Sequence, residues 1–542
     1  MGSGSGTAPV ELTGRTTPFL GWQKLLLAAL ALLGVWLRVR HLGAEGFADD
    51  EIHKWLAALR YLRGDFGGDD VEHPMLMKWL IAGAAALLPR GASPEALTRL
   101  PNALASGGTV VAVALLGRRF FGRAAGLLGA ALCAFSTTFI GYQRIAKEDT
   151  LLGLFLALML WCFGEAHAAA QDGRGADQRR WEAWSAAALG GMFASKYFIF
   201  FGPIPLFAYW ALRARGTAWR VPFSRWVVLA GIALVVFSAV NWAPFLPSTW
   251  EYIGQYLAGD KLGDRATSET LLFRGHLYGN LAFNFRGGVP PWFHLAFAWV
   301  KLAPPTAVLA FSGIALALWR RRPAHLVFLC WIGTFVLSFT VSSAMYGRFF
   351  VSVLPAFALL AAHAARELSR RVPWRQAFPA LAVLMAATEA RAAVTHAPHY
   401  RLYVNAFGGG DAALGWWFPH CDYFDAGLRE AVRGVAARAE PGAEIASETE
   451  WPVRFYAEQA GRKDLTYGLI TRRGGCRQGR VCYVVTAVGR LYAHNREALE
   501  RLATRAPFET VTIRGVPVVK VYRLEPGEPL FPPPTAAAAA SR

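Results

Sequence analysis

Carboxylates crowd one short region of this chain. Phe47-Ala48-Asp49-Asp50-Glu51-Ile52-His53 is followed, after a Gly-rich turn, by Asp69-Asp70-Val71-Glu72-His73-Pro74-Met75-Leu76-Met77-Lys78. A carboxylate just beyond a first apolar helix is a competent general base for an acceptor that arrives at a membrane surface. Any of the carboxylates in these two stretches could take that role. The plainer reading is that Asp49 or Asp50 caps an amphipathic helix over 51–63, where the helix dipole favours an acidic first turn.

A second group of residues is cationic and stands at the ends of apolar runs. Arg144 and Lys147 lie in Tyr142-Gln143-Arg144-Ile145-Ala146-Lys147-Glu148-Asp149, Lys196 inside the apolar stretch 192–201, and Arg348 in Met345-Tyr346-Gly347-Arg348-Phe349-Phe350 at the expected start of a helix. Arg38 and Arg40 close the first apolar run. Cations on the side of a membrane that positive residues normally avoid suit an anionic lipid phosphate. A charge within an apolar segment is costly and marks function by default. A guanidinium at a helix N-terminus makes a phosphate cradle. The competing readings are a local ion-pair cluster with Glu148 and Asp149, snorkelling of Lys196, and interfacial anchoring of Arg348 beside Tyr346.

These residues require a membrane to position them. Hydrophobic types make up 54% of 542 residues, with 20 Trp and 36 Phe, more apolar surface than one soluble core of this length would bury. Apolar stretches long enough to cross lie near 19–38, 101–117, 124–141, 149–167, 226–246, 302–319, 324–342, 347–364 and 376–394, and the run 183–212 divides into two at Gly202, Pro203 and Pro205. The fold class is therefore mainly α, a polytopic membrane protein of about eleven transmembrane helices. Met75 to Leu88 is the exception. At roughly 1.5 Å per residue it reaches about 21 Å against a hydrocarbon core of about 30 Å, so it is expected to lie along the surface.

The net charge of +19 comes from Arg clusters between the apolar runs: Arg118, Arg119 and Arg123; Arg174, Arg179 and Arg180; Arg213, Arg215, Arg220 and Arg225; Arg320 to Arg322; and Arg366, Arg370, Arg371 and Arg375. With the N-terminus cytoplasmic and 75–88 not spanning, all five clusters fall inside, as the positive-inside bias requires. No basic-aromatic stacking platform or zinc pattern accompanies the charge, and nucleic acid is not an expected partner.

The division expected is a disordered cytoplasmic N-terminus over 1–18, a transmembrane domain over 19–398 with outer loops 39–100 and 247–300, a periplasmic domain over 399–525 and a disordered tail over 526–542. In the third part, amphipathic stretches (425–438, 451–461, 495–504) alternate with strand-like runs (444–447, 481–486, 510–513, 516–522), the pattern of a small α/β domain. Cys476 and Cys482 are close enough in sequence to pair in a periplasmic domain or to stay reduced, while Cys133, Cys162 and Cys330 lie in apolar runs and Cys421 is left over.

The chain resembles the polyprenyl-phosphate-dependent glycosyltransferases of the GT-C fold, in particular the protein O-mannosyltransferase-like family (glycosyltransferase family 39) and the related aminoarabinose transferase of lipid A. The resemblance rests on Arg38 closing the first helix, Asp50-Glu51 opening the first outer loop and His73-Pro74-Met75-Leu76-Met77-Lys78, where that family typically has His-Pro-Pro-Leu-Gly-Lys. It rests also on Arg144 followed by Asp149, on Arg348 to Pro355, similar to an Arg-Tyr-Leu-Leu-Pro element, and on Tyr400 to Gly410 after the last helix. It covers most of residues 20–425. Met75 departs from the usual second Pro, and the loop 247–300 is too short for the sugar-binding domain that eukaryotic protein mannosyltransferases insert.

What the resemblance implies is an inverting transfer of a sugar from a polyprenyl-phosphate donor to a glycolipid, polysaccharide or protein acceptor on the periplasmic face of the inner membrane. Asp50 would be the base, with Glu51 beside it; Glu72, His73 and Lys78 would form an acceptor or surface-helix site; Arg144, Lys147, Lys196, Arg348 and Arg38 would hold the phosphate, among membrane lipids. No cofactor is required, although some GT-C enzymes bind a divalent cation with outer-loop carboxylates, a place that Asp49, Asp70 or Asp149 could fill. A membrane transporter, or a non-catalytic partner in envelope-polymer export, are the alternatives. The first would show inverted repeats and broken helices meeting at mid-membrane, and only the 202–205 break is of that kind.

Overall fold

The computed structural model describes residues 17–67, 71, 73–88, 91–213, 219–257, 270–279, 288–341, 345–470, 476, 477 and 479–531, the side chain of Asp49 excepted. The expectations for Asp69, Asp70 and Glu72, and for most of the two terminal segments, lie outside the described residues.

Helix α1 (Gly21–Val39) is followed by the shorter α2 (Asp49–Tyr61) and α3 (Met75–Leu87), which pack on each other. α4 (Pro94–Phe121) returns; Ser93 caps it by accepting from the Ala96 N–H at 3.2 Å, with Pro94 at the first position and Glu95 in the first turn. α5 (Arg123–Phe135) and α6 (Thr137–Gln143) form one path bent by 58°. At the break Ser136 takes ψ 121°, far from helical values. α7 (Asp149–Gln171), α8 (Gly175–Ser195), α9 (Ile204–Arg213) and α10 (Phe223–Val240) follow. Four further helices, Pro304–Arg320, Pro323–Val341, Leu354–Ser369 and Ala377–His396, complete the bundle.

Among the described residues, six helices are long and apolar enough to cross a membrane, and the bent α5–α6 pair makes a seventh. Helices stand at the other expected positions but are shorter or more polar. α9 has 10 residues, Pro304–Arg320 has 17 and Leu354–Ser369 has 16. The α-helix expected over 347–364 begins later, at Leu354, because Gly347–Ser352 forms a 3-10 helix that leads into it, and Arg348 stands at the start of that 3-10 helix. α3 has 13 residues, about 20 Å at roughly 1.5 Å each, short of a core of about 30 Å.

The C-terminal part is built on a five-stranded sheet in the order β4-β3-β5-β7-β6. β3 (Glu444–Ser447) runs parallel to β4 (Thr466–Leu469) and β5 (Cys482–Ala487), and β7 (Val516–Leu524) is antiparallel to β5 and to β6 (Glu509–Ile513). A separate hairpin joins β1 (Thr270–Phe273) to β2 (His276–Gly279). Cys476 and Cys482 form a disulfide.

One apolar cluster runs without interruption from Ile52, Met77 and Ile81 of α2 and α3 to Val435, Ile445, Val453, Val485 and Val521 of the sheet region. Polar contacts reinforce the junction: Arg429 donates to the Gly43 carbonyl at 2.9 Å and Tyr456 to Glu95 at 3.0 Å. The first loop and the sheet therefore share one end of the bundle. Arg118, Arg123, Arg320 and Arg366 gather at the other end, on Glu165, the Pro18 carbonyl, Glu367 and the Phe121 carbonyl respectively.

Candidate active site

The first turn of α2 presents its carboxylates in different directions, since successive residues on a helix differ by about 100°. Glu51 points inward. It reaches back to the Ala48 N–H at 3.0 Å, accepts from the Ala146 N–H at 2.8 Å, and takes the Arg99 guanidinium on both oxygens at 2.8 and 2.6 Å. It is fully buried; the Ala48 contact closes the start of α2, and the others tie α2 to α4 and to the turn before α7. The expectation gave Glu51 a share in the catalytic role beside Asp50; the structure commits its carboxylate to Arg99 and to two backbone N–H groups. Asp50 points the other way, with its side chain 33% exposed, and forms ion pairs with Lys147 and, at 3.4 Å, with Arg348.

Lys147 lies in the turn between α6 and α7, which Asn102 of α4 pins by donating to the Ile145 and Lys147 carbonyls, the latter at 2.7 Å. Burial and the nearby Arg348 push the Lys147 ammonium well below its usual range. The next two residues carry their own cations: Glu148 pairs with Lys54 at 3.0 Å and Asp149 with Lys196 at 2.7 Å. Burial would raise the Glu148 carboxyl, yet Lys54 and His73 hold it well below the usual carboxylate range. Lys196 also lies 4.5 Å and 4.3 Å from the ring centroids of Phe198 and Phe349. Arg348 is placed by Gly347, whose added Cβ would come within 2.3 Å of Phe297, so only glycine lets this turn lie against that ring.

Lys147 and Arg348 open into a small cleft lined also by Tyr142, Ile145, Tyr346, His420, Cys421 and Phe424. The Phe424 ring lies 5.7 Å from the Lys147 ammonium and 5.6 Å from the Arg348 guanidinium. Phe424 and Asp425 have φ of 36° and 65°, a region that costs non-glycine residues energy and that only surrounding contacts maintain. The contact here is a two-pronged ion pair, Arg490 to Asp425 at 2.7 and 2.6 Å. The sheet region thus holds one wall of the cleft through Arg490, at the end of the short 3-10 turn that follows β5. A buried pair, Lys301 with Asp422 at 2.7 Å, holds the turn on its far side.

Sequence reasoning brought Asp50, Lys147, Lys196, Arg348 and Asp149 to this region, and the structure joins them. It does not join Arg38 or Arg144. The Arg38 guanidinium is buried on Gln143 at 2.7 Å and on the carbonyls of Gly34, Ala134 and Cys133. Arg144 is spent on carbonyls at and just beyond the end of α1, Arg38 at 3.0 Å and His41 at 2.6 Å, where a cation offsets the helix dipole. His73 is at the border, 3.9 Å from Glu148, and Lys78 donates to the His73 carbonyl at 3.0 Å beneath it. Lys54 was missed, although its place four residues after Asp50 puts both on one helix face. Phe424 and Arg490 carried no local signal.

Of the proposed cation ligands, Asp70 and the Asp49 side chain lie outside the described residues, and Asp149 is committed to Lys196. Among the described residues no three His, Cys, Asp or Glu side chains are grouped to hold a metal.

Residues 72–242 match the sequence profile of the family described as dolichyl-phosphate-mannose-protein mannosyltransferase. No curated protein matches the chain. The fold is similar to that of ArnT from Cupriavidus metallidurans in the apo state, with a TM-score of 0.53 at 16% identity over 95% of this chain and 99% of that one. It is also similar to the apo oligosaccharyltransferase of Archaeoglobus fulgidus, with a TM-score of 0.50 at 12% identity over 86% of this chain and 69% of that one. The chain has the GT-C fold of these membrane glycosyltransferases, and within it carries a segment that matches the mannosyltransferase family.

Proposed function

We propose that the protein is a membrane glycosyltransferase that moves a sugar from a polyprenyl-phosphate donor to an acceptor hydroxyl on the periplasmic face of the inner membrane. The observation that carries this reading is the meeting of one partly exposed carboxylate, Asp50, with two cations, Lys147 and Arg348, at a cleft where the bundle joins the sheet region. The family match over 72–242 supports the donor class. The orientation is supported by the Arg-rich loops at the far end and by the disulfide at the near end, which suits an oxidising compartment.

In this reading Asp50 takes the proton of the acceptor hydroxyl as its oxygen attacks the anomeric carbon. The bond from that carbon to the phosphate oxygen breaks on the opposite side, so the configuration inverts. The phosphate leaves with one more negative charge than it had in the donor, and Lys147 and Arg348 stabilise that charge as it develops, with Lys196 behind them. A phosphate leaves without protonation, so no separate acid is needed. The acceptor is a glycolipid, a polysaccharide or a protein.

Incubating the purified protein with a panel of polyprenyl-phosphate sugars and an envelope extract tests the reading. Release of polyprenyl phosphate by the wild type but not by Asp50→Asn is the expected result. Failure of a folded, inserted protein to consume any donor would count against it. Because Lys147 and Arg348 supply the charge that a divalent cation would, EDTA is expected to leave turnover unchanged. A loss restored by added Mg²⁺ or Mn²⁺ would show that a metal takes part.

A further inference from the structure

Among the cations around the cleft, Lys196 and Lys54, which do not line it, each have a carboxylate of their own, Asp149 at 2.7 Å and Glu148 at 3.0 Å. Lys147 and Arg348 share one, and it is Asp50. Carboxylate and phosphate oxygens accept from ammonium and guanidinium groups in the same way, so the base stands where the donor phosphate is required to sit.

We infer that Asp50 is a placeholder for the donor phosphate, and that the donor must displace it before it can act as a base. The inference rests on the phosphate reading of Lys147 and Arg348 given above. It makes binding ordered, donor first and acceptor second. A carboxylate shared between two cations is a weak base; once the phosphate takes both cations, the same carboxylate is a stronger one. The exchange asks little of the fold. The Asp50 side chain is one-third exposed and has only to change rotamer, while α2 stays fixed by the Glu51–Arg99 pair.

The test is the affinity of the full-length protein in detergent for undecaprenyl phosphate, compared among wild type, Asp50→Asn, Arg348→Ala and the double variant. Asp50→Asn should bind roughly two- to fivefold more tightly than wild type, the effect of removing a partly exposed competing ion pair, although its turnover falls. The double variant should lose that gain. Equal or weaker binding by Asp50→Asn, with Arg348→Ala still weaker than wild type, overturns the placeholder role and leaves the phosphate site standing. Unchanged binding by Arg348→Ala overturns the phosphate site and the placeholder together. If Asp50→Asn is not recovered folded, Asp50→Ser serves the same comparison.

Discussion

Two adjacent carboxylates, Asp50 and Glu51, are chemically alike and have opposite surroundings, so their variants should fail in different ways. Asp50→Asn keeps the shape and much of the capping ability of the residue. It should fold normally and lose on the order of 10² to 10⁴ in turnover. Glu51→Ala strips the buried Arg99 guanidinium of both its carboxylate contacts, a loss that costs about 3–5 kcal/mol. Thermal unfolding in detergent checks the second and donor turnover the first. A stable but inactive Glu51→Ala together with an active Asp50→Asn would exchange the two roles. Arg348→Lys keeps the charge and loses the planar fork, and should weaken donor use by roughly 1 to 3 kcal/mol, with Arg348→Ala worse. Wild-type donor turnover by both variants would return Arg348 to an interfacial anchor beside Tyr346, over whose ring it lies at 4.7 Å.

Among the elements, α3 is held by its first N–H. Met75 donates to the Asn241 Oδ1 atom at 3.0 Å, and Asn241 is itself bonded to Tyr197, so the end of α10 sets where the surface helix begins. Asn241→Ala removes an acceptor from a buried N–H and should cost about 1–3 kcal/mol locally. Faster amide hydrogen exchange across 75–81, with the C-terminal sheet unchanged, is the expected signature. Protection unchanged at Met75 and its neighbours would show that the helix is positioned by its apolar face alone, through Met77 and Ile81.

For the molecule as a whole, the packing of the sheet region on α2 and α3 predicts that the first loop and the C-terminal part share one side of the membrane. Cysteines introduced at the exposed positions Ala92 and Glu458 should therefore react together with an impermeant thiol reagent applied to intact cells, and one at Arg371 only after permeabilisation. The native free thiols Cys133, Cys162 and Cys421 are buried and Cys330 is half-buried, so background labelling is low. Reaction of Arg371→Cys from outside, with the other two protected, would invert the proposed orientation.

Length and hydropathy are properties of consecutive residues, and so the positions of α1, α4, α7 and α10, the shortness of α3 and most strands of the sheet were legible in the sequence. The 3-10 turn at Gly347–Ser352 was not, because the close approach of Phe297 to Gly347 comes from a helix far away in the chain. The same holds in the site. Asp50, Lys147, Lys196 and Arg348 announced themselves as charges beside apolar runs, but so did Arg38 and Arg144, and local sequence cannot tell a cation that faces a cleft from one that caps a helix. The tertiary structure decided that by supplying partners from elsewhere: backbone carbonyls of α5 for Arg38 and of the α1 end for Arg144. It separated Glu51 from Asp50 by placing Arg99 of α4 on one side of α2 and Lys147 and Arg348 on the other. A side chain's charge belongs to its residue type, whereas the use made of that charge depends on which groups the fold brings within about 3 Å of it.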